Sequence, residues 1–404
     1  MGIAAPKPSP LPLIDRPVVL LGLLAVSISL TFQILLPVVP VMVERAGPHG
    51  IGGAATAALF LGAVTGEVSS PWLMTVFRSR RLLATGQLIT AASSLVYLVP
   101  GATTPLMVGA AAVRGVGMGV AIVLATALVA DAAAPGRRGA SIGYFGLALS
   151  VPGIFVPSVG VFFLAAGHPG FDALIAFACS LLGAVAALRA PDYPPRSARS
   201  STNLLGALRR PGLFAVFAAF VLSSCSFGGS LTFVPVALPL GGLGSAATYF
   251  LVAGAARATG RWLAGFIVDR TRARTVMAGG MAISLAGLVA LALHSNAAVV
   301  LLAGLCYGAG YGAIQTAAYV AMLERGTARD SGAISALWNS GIDLGSSLGG
   351  TLIGVAAAQV GYGGAAWVLP GAVVLALPLL LFPGRSGKTG IDDVSAAEPL
   401  PIEG

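Results

Sequence analysis

The sequence predicts an all-α membrane protein in which twelve transmembrane helices form two parallel six-helix repeats. Three observations predict this fold: few charged residues, twelve long apolar runs, and a match between the two halves of the chain. Only 37 of the 404 residues are Asp, Glu, Lys or Arg, or 9%, whereas a soluble domain carries about 25%. A chain of this length needs more charged side chains than this to form a surface exposed to water. Most of its surface therefore faces lipid. This excludes a soluble enzyme, a disordered chain and a disulfide scaffold.

Twelve apolar runs have the length that a membrane-crossing helix needs, which is about 20 residues. They lie near 18–43, 51–77, 82–100, 105–131, 139–164, 170–188, 212–239, 245–269, 275–293, 297–323, 331–359 and 363–383. The runs form an N-terminal bundle at 18–188 and a C-terminal bundle at 212–383. A polar central loop at 189–211 separates them. We expect residues 1–17 to form a short N-terminal segment and the polar residues 384–404 a disordered tail.

The basic residues predict the orientation of the chain in the membrane. With the N-terminus in the cytoplasm, 19 of the 23 Lys and Arg residues fall in inner segments and only Arg45 in an outer loop. Cytoplasmic loops collect Lys and Arg, so both termini are expected in the cytoplasm and the chain in the plasma or inner membrane of the cell. The net charge of +9 is therefore explained by topology, and nucleic acid is not an expected partner.

The two halves of the chain match each other. VTGEVSSPWLMTVFRSRRLLATG from Val64 aligns without gaps with ATGRWLAGFIVDRTRARTVMAGG from Ala258, an offset of 194 residues. RGVGMG from Arg114 aligns with YGAGYG from Tyr307, an offset of 193. Parallel repeats of this kind place a substrate site between the halves, near the middle of the bilayer.

These motifs resemble the major facilitator superfamily of secondary transporters, over about residues 15–384. GFIVDRTRAR, from Gly265 to Arg274, is similar to the family's Gly-x-x-x-Asp-Arg-x-x-Arg-Arg loop signature. The first-half copy is degraded, with Pro71 in place of the glycine and Thr75 in place of the aspartate. RGVGMG is similar to the family's fourth-span signature with its embedded arginine.

One more segment resembles a particular branch of the family. ALWNSGIDLG, Ala336 to Gly345, looks like the eleventh span of bacterial drug and sugar exporters. The antiporter signature expected in span five is present only in outline, as Pro152-Gly153 and Pro157 with Gly160.

The resemblance implies alternating access, most simply as proton-coupled efflux of a small organic molecule such as a drug, natural product or sugar-like metabolite. The alternative is uptake of a small metabolite by proton symport. The expected partners are the substrate, protons and the lipid bilayer, and the expected state is a monomer. The sequence has no phosphate-binding Gly-Lys-Ser/Thr loop and no catalytic set within the spans. We therefore expect neither an enzyme nor a bound cofactor or metal.

Five charged residues fall well inside the predicted spans, away from their ends, where charge is costly and thus a sign of function. They are Glu67, Arg114, Arg257, Arg261 and Asp343. At 1.5 Å of rise per residue, Glu67 is level with Arg114, and Arg257 is level with Asp343. We therefore predict two buried ion pairs. The pairs either fix helix packing or provide a carboxylate that exchanges a proton during transport. Arg261 either forms part of a gate or contributes to helix packing.

Neutral polar residues at middle depth extend the candidate site. They are Gln33, Gln315, Tyr319 and Asn339, with Trp338 beside the last. The family resemblance implies that spans one, four, seven and ten line the cavity, which favours Gln33, Arg114 and Gln315. Each glutamine has an alternative role as a helix–helix hydrogen bond, and Trp338 either stacks on an aromatic substrate or packs against lipid.

Charged residues at the inner ends of the spans predict a cytoplasmic gate, since the resemblance implies that such clusters close this side in the outward-open state. The second-half cluster consists of Asp269, Arg270, Arg272, Arg274 and Glu324, and the first-half cluster of Arg80, Arg81 and Asp131. The alternative is that these charges only mark topology. Interfacial ion pairs are individually weak, so only a network of them biases a conformational equilibrium.

Overall fold

The computed structural model describes residues 16–132, 138–190, 192–194, 206, 208–326 and 331–381. Within this part of the chain the regular structure is helical. The α-helices are α1 (Arg16–Leu35), α2 (Val38–Ala46), α3 (Gly52–Val76), α4 (Ser79–Leu95), α5 (Thr104–Ala132), α6 (Arg138–Ser150), α7 (Pro152–Ala165), α8 (Pro169–Arg189), α9 (Pro211–Ala237), α10 (Ala246–Val268), α11 (Ala273–Leu293), α12 (Ala297–Leu323), α13 (Ser331–Ala365) and α14 (Val368–Ala376). Short 3₁₀ helices follow α4 at Val96–Leu98 and α14 at Leu377–Leu381.

These helices account for the twelve predicted spans. The first span is α1 with α2, interrupted at Pro37, and the fifth is α6 with α7, interrupted before Pro152. Both breaks fall at prolines, which lack the N–H group that a continuous helix would need. Eight helical segments of the described chain are long and apolar enough to cross a membrane by length and composition alone. The other four spans are α3 and α10, which contain charged residues, and the shorter α4 and α14.

Some predicted segments lie outside the described residues. They are the tail at 384–404, residues 1–15 of the N-terminal segment, and residue 191, residues 195–205 and residue 207 of the central loop.

Close contact between helix backbones, made at glycines, holds α5 against α3. A Cβ atom at Gly115 would collide with the carbonyl oxygen of Leu59, and one at Gly119 with that of Ala63. Such an approach is possible only where no side chain intervenes, which is the arrangement expected of helices packing in lipid. Helices α3 and α5 are therefore joined by backbone contact.

The second half repeats the same contacts between α12 and α10. A Cβ atom at Gly308 would meet the carbonyl oxygen of Ala253, and one at Gly312 that of Arg257. Gly308 lies 193 residues after Gly115, and Ala253 lies 194 residues after Leu59. The offsets are those of the sequence alignment, so the internal repeat extends to individual contacts.

The two halves meet along two seams. In the first seam, α3 packs against α13, and a Cβ atom at Gly53 would collide with the carbonyl oxygen of Gly350. In the second seam, α7 packs against α10, where a Cβ atom at Gly254 would lie 2.6 Å from the carbonyl oxygen of Ile154. A hydrogen bond of 2.8 Å between the hydroxyls of Thr56 and Thr232 also joins the halves.

We predict that Gly115→Ala destabilises the folded protein because the added methyl group pushes α5 away from α3. Overpacking of this kind costs about 1–3 kcal/mol, which exceeds the gain of roughly 1 kcal/mol in helix propensity. The measurement is the denaturation midpoint of the purified protein in detergent. Gly109→Ala is the matched control, since the same helix leaves open space around Gly109, and it should be neutral or stabilising. Equal midpoints for the two variants would contradict the prediction.

Candidate functional site

Two carboxylates, one from each half, lie together at the first seam. Glu67 in α3 accepts a hydrogen bond from the Ser340 hydroxyl in α13, with 3.3 Å between Oε2 and Oγ. Asp343 lies three residues beyond Ser340 and is 8% exposed, and its charge interacts with that of Glu67. Ser340 and Asp343 share a helical face because they are three residues apart. We call Glu67, Ser340 and Asp343 the carboxylate cluster.

The predicted ion pairs Glu67–Arg114 and Arg257–Asp343 are wrong. No ion pair within 4.0 Å joins either carboxylate to an arginine among the described side chains. Depth along the helix axes was estimated from residue spacing, but spacing says nothing about which side of its helix each charge occupies. Glu67 faces α13 across the seam, away from Arg114.

Arg257 lies in a cavity between the two halves. Its Nη2 atom donates a hydrogen bond of 3.3 Å to the carbonyl oxygen of Gly153 in α7. The guanidinium carbon lies 5.1 Å from the ring centre of Phe227, in cation–π geometry. Gln33, predicted to line the substrate cavity, lies on its wall together with Tyr249.

Tyr311 connects the cavity with the carboxylate cluster. Its hydroxyl donates to Ser224 Oγ at 3.1 Å, and its ring stacks on Phe227 with centroids 5.5 Å apart. The hydroxyl interacts electrostatically with both Arg257 and Asp343. Tyr311 therefore lies near both the cation and the carboxylate that were predicted to pair. It was not among the predicted site residues, although it lies in the repeated YGAGYG segment.

Arg114 is buried within the first half, where it is only 2% exposed. Its Nη1 atom donates to the carbonyl oxygen of Thr31 at 3.3 Å, whereas Nε and Nη2 have no partner among the described residues. A small cavity beside it is lined by Gln87 and Thr90. Arg114 thus points into the packing of α1, α4 and α5 rather than into the cavity that holds Arg257.

The remaining polar candidates make contacts within the second half. Arg261 lies over the Trp338 ring, with its guanidinium carbon 5.6 Å from the ring centre, and Trp338 donates through Nε1 to the carbonyl oxygen of Gln315 at 2.9 Å. Asn339 donates to the Ser335 carbonyl oxygen at 3.1 Å. The Tyr319 and Ser335 hydroxyls lie 3.0 Å apart. These contacts give Trp338 and Asn339 packing roles in this conformation, whereas Oε1 of the buried Gln315 has no hydrogen-bond partner among the described residues.

The charges predicted to form the cytoplasmic gate lie at one end of the bundle, which we call the arginine-rich end. Asp269, Arg270 and Arg272 are exposed there. Among the described side chains Asp269 has no ion pair, and Glu324 pairs only with its neighbour Arg325, at 3.7 Å. The predicted second-half cluster is therefore not assembled in this structure. Arg274 lines a small pocket beside Arg325 instead.

The described hydrogen bonds of the predicted first-half gate cluster lie within that half of the chain. Arg80 donates through Nε and Nη2 to the carbonyl oxygen of Ala190, at 3.1 and 2.8 Å, and Arg81 is exposed. The side chain of Asp131 lies outside the described part of the chain.

At this end of the first half, Asp192 forms an ion pair of 2.7 Å with Arg78. Desolvation raises the pKa of Asp192, but hydrogen bonds from Arg78 and from the Arg80 backbone, with the positive charges of the two arginines, together lower it. The contact ties the start of α4 to the segment after α8.

The family model of the Major Facilitator Superfamily matches residues 21–350, and a second match covers residues 263–403. The chain belongs to the Major Facilitator Superfamily. It is accordingly a membrane-embedded secondary transporter of a small molecule rather than a typical enzyme. No curated protein matches the sequence significantly.

Solved structures of superfamily transporters share the fold at low sequence identity. A peptide transporter in complex with alafosfalin has a TM-score of 0.72 at 14% identity, covering 91% of this chain and 94% of its own. The E. coli xylose transporter XylE, in an inward-open conformation, has a TM-score of 0.71 at 16% identity, covering 92% and 97%. A bacterial homologue of the human lysosomal transporter Spinster, inward-facing and unoccupied, has a TM-score of 0.69 at 12% identity, covering 92% and 96%.

At the end opposite the arginines, this superfamily member is closed by contacts between its halves. Glu44 accepts hydrogen bonds from the backbone N–H groups of Gly50 and Gly52, both at 2.8 Å, and lies 3.1 Å from His49 Nδ1. The ring of His49 packs edge-on against Tyr362 of α13, with centroids 5.1 Å apart. Among the described residues, side-chain hydrogen bonds between the halves lie at this end or at middle depth, and none lies nearer the arginine-rich end.

One buried acidic residue was not predicted as a candidate from the sequence. Asp172 lies in the first turn of α8 and is fully buried, and neither carboxylate oxygen has a hydrogen-bond partner among the described residues. An acid in the first turn of a helix is stabilised by the positive end of the helix dipole. Its signal in the sequence was an acid within the sixth apolar run, close to the run's beginning.

Proposed function

We propose that this transporter couples proton movement to the efflux of a small organic molecule, and that Glu67 and Asp343 carry the protons. The observation that supports the proposal is the carboxylate cluster: two acids from different halves interact at the seam, without an arginine within ion-pair distance. Two like charges in a site of low dielectric constant repel strongly. A proton bound to either carboxylate removes that repulsion.

Proton binding is thereby linked to the conformation of the protein. Glu67 belongs to the first half and Asp343 to the second, so movement of the halves changes the distance between the acids. It also changes how well water reaches them. A ligand shifts a conformational equilibrium by its difference in affinity between the two states, and here the proton is that ligand. Neutralising the pair favours the closed seam, and parting the seam favours release of the proton.

The conformation described above fits one half of an alternating-access cycle. The seams are closed at the end opposite the arginines, and Asp269 has no ion pair with a described residue at the arginine-rich end. Because cytoplasmic loops collect arginine, we assign the arginine-rich end to the cytoplasm and the structure to the inward-open state. In the outward-open state, the gate residues Asp269, Arg270, Arg272 and Arg274 would assemble with Glu324, and Arg80 and Arg81 with Asp131. We also propose that the protein is a monomer and that it lies in the plasma or inner membrane of the cell.

Efflux is favoured over uptake by the segment that carries the cluster. Ser340 and Asp343 lie in Ala336–Gly345, the stretch that resembles the eleventh span of bacterial exporters. The alternative is uptake by proton symport, which would use the same acids with the opposite coupling. The two differ in whether substrate moves against or along the proton gradient.

Asp343→Asn and Glu67→Gln are expected to abolish gradient-driven transport, since an amide cannot bind and release the proton. Purified protein in liposomes is first screened with ethidium, benzoate and D-xylose, which are cationic, anionic and neutral probes. The probe that wild type accumulates under an imposed pH gradient is then measured with each variant. Accumulation should fall to the level of protein-free vesicles, while exchange of the probe without a gradient continues.

Asp192→Asn is the control for that experiment, because it removes a carboxylate outside the carboxylate cluster and leaves an oxygen that can accept from Arg78. It should retain gradient-driven transport. The direction of movement separates the two candidate functions: probe expelled toward the acidic side indicates efflux, and probe carried away from it indicates uptake. Full gradient-driven transport by both Asp343→Asn and Glu67→Gln would reject the assignment of the protons.

A disulfide across the halves is expected to stop transport reversibly. The hydroxyls of Thr56 and Thr232 are 2.8 Å apart, so Thr56→Cys with Thr232→Cys brings two sulfurs within bonding geometry. The background replaces the native cysteines Cys179, Cys225 and Cys306. Oxidation should abolish transport because the end of the bundle opposite the arginines can no longer open. A reductant should restore transport. Each single cysteine variant is the control, and transport by the fully cross-linked protein would contradict alternating access at this end.

A further inference from the structure

The cavity around Arg257 lies where five helices of the two halves converge. Small-molecule sites in proteins are concave, largely apolar and carry a few well-placed polar groups. The polar, charged and aromatic side chains that line it include Gln33, Phe227, Ser230, Tyr249, Arg257 and Tyr307. They come from α1, α9, α10 and α12, and α7 completes the wall through Gly153 and Pro157.

The walls of this cavity supply a positive charge without a countercharge. None of the five lining helices, α1, α7, α9, α10 and α12, contains an Asp or a Glu anywhere along its length. Glu67 and Asp343 lie on α3 and α13, which do not line the cavity. A guanidinium removed from water without an opposite charge is unfavourable. An anion entering the cavity would relieve that cost.

The guanidinium of Arg257 retains donors for such an anion. Among the described residues it makes one hydrogen bond, through Nη2 to Gly153, and an arginine side chain has five N–H donors. Phe227 holds one face of the group by a cation–π contact, which leaves its edge able to donate. Gln33 lies on the same wall and makes no hydrogen bond with a described residue, so its amide adds a further donor.

The rest of the wall is aromatic and apolar. Tyr249, Phe250 and Tyr307 line it together with Leu36 and Leu231. Aromatic rings favour offset or edge contacts with another ring, and Arg forms a bidentate pair with a planar carboxylate. One arginine balances one negative charge, which suits a carboxylate better than a doubly charged phosphate.

We infer that the substrate class of this transporter is a small aromatic monocarboxylate, bound through its carboxylate to Arg257 and through its ring to the aromatic wall. The inference rests on the proposed function in one respect, that this chain transports a small organic molecule, and it takes the cavity around Arg257 as the substrate site. It adds the charge and the shape of the ligand. It also identifies Arg257 as the residue that distinguishes anions from neutral and cationic molecules.

The test is equilibrium binding to the full-length protein in detergent, measured by titration calorimetry without any proton gradient. The probes are benzoate, benzamide and benzylamine, which share a ring and differ in charge, and acetate, which has the charge without the ring. Benzoate should bind more tightly than benzamide by roughly tenfold to a hundredfold, the range expected of a hydrogen bond to a charged group. Benzylamine should bind more weakly still, and acetate more weakly than benzoate.

Arg257→Gln should weaken benzoate binding until it matches that of benzamide, and Arg257→Lys should restore part of the difference because it retains the charge. Arg45→Gln is the matched control, since it removes an exposed arginine outside the cavity. The probe series on wild type does not depend on how well any variant folds. Absence of benzoate binding to wild type, or equal binding of benzoate and benzamide, would overturn the inference. So would equal binding of acetate and benzoate.

The binding experiment and the proton-coupling experiment test different proposals, and each can contradict its own proposal without contradicting the other. If both Asp343→Asn and Glu67→Gln retained gradient-driven transport while benzoate still bound through Arg257, the proton assignment would be wrong and the substrate class would stand. If a neutral probe were transported with proton coupling while benzoate did not bind, the substrate class would be wrong and the proposed function would stand.

Discussion

Contact between helix backbones at glycine is the interaction on which the rest of this structure depends. Lipid is as apolar as the side chains it surrounds, so burial of apolar surface does little to drive helices together, and close packing must do so. Gly115 against Leu59 and Gly308 against Ala253 provide that packing in the two halves. With the spans fixed so closely, the few polar groups inside them are held in defined positions relative to one another.

The buried charges are separated by type between two regions. The acids Glu67 and Asp343 lie at a seam between the halves, whereas Arg257 lies in a cavity whose helices contain no acid. Direct ion pairs would have neutralised both regions internally and left little for a proton or a substrate to change. Tyr311 lies near charges of both regions, and its hydroxyl donates to Ser224 rather than to either charge.

The fold was largely predictable from the sequence because lipid imposes a simple rule on composition and length. The predicted runs match the helices closely, and the 193-residue offset from Gly115 to Gly308 reappears in atomic contacts. The pairing of charges was not predictable in the same way. A helix turns once in 3.6 residues, so an error of one residue in phase turns a side chain by about 100°. Glu67 and Arg114 lie within the long helices α3 and α5, but which face Glu67 presents depends on how α3 packs against α13.

The first seam has one more consequence. Because Gly53 and Gly350 have no side chains, parting α3 from α13 uncovers the peptide carbonyl groups of Gly350 and Gly354 rather than hydrocarbon. Water solvates such groups well, whereas it withdraws from a narrow gap between apolar walls. Hydration of these carbonyl groups lowers the free-energy cost of opening the gap. A seam of leucines would resist wetting, so the glycines make this surface one that can separate repeatedly.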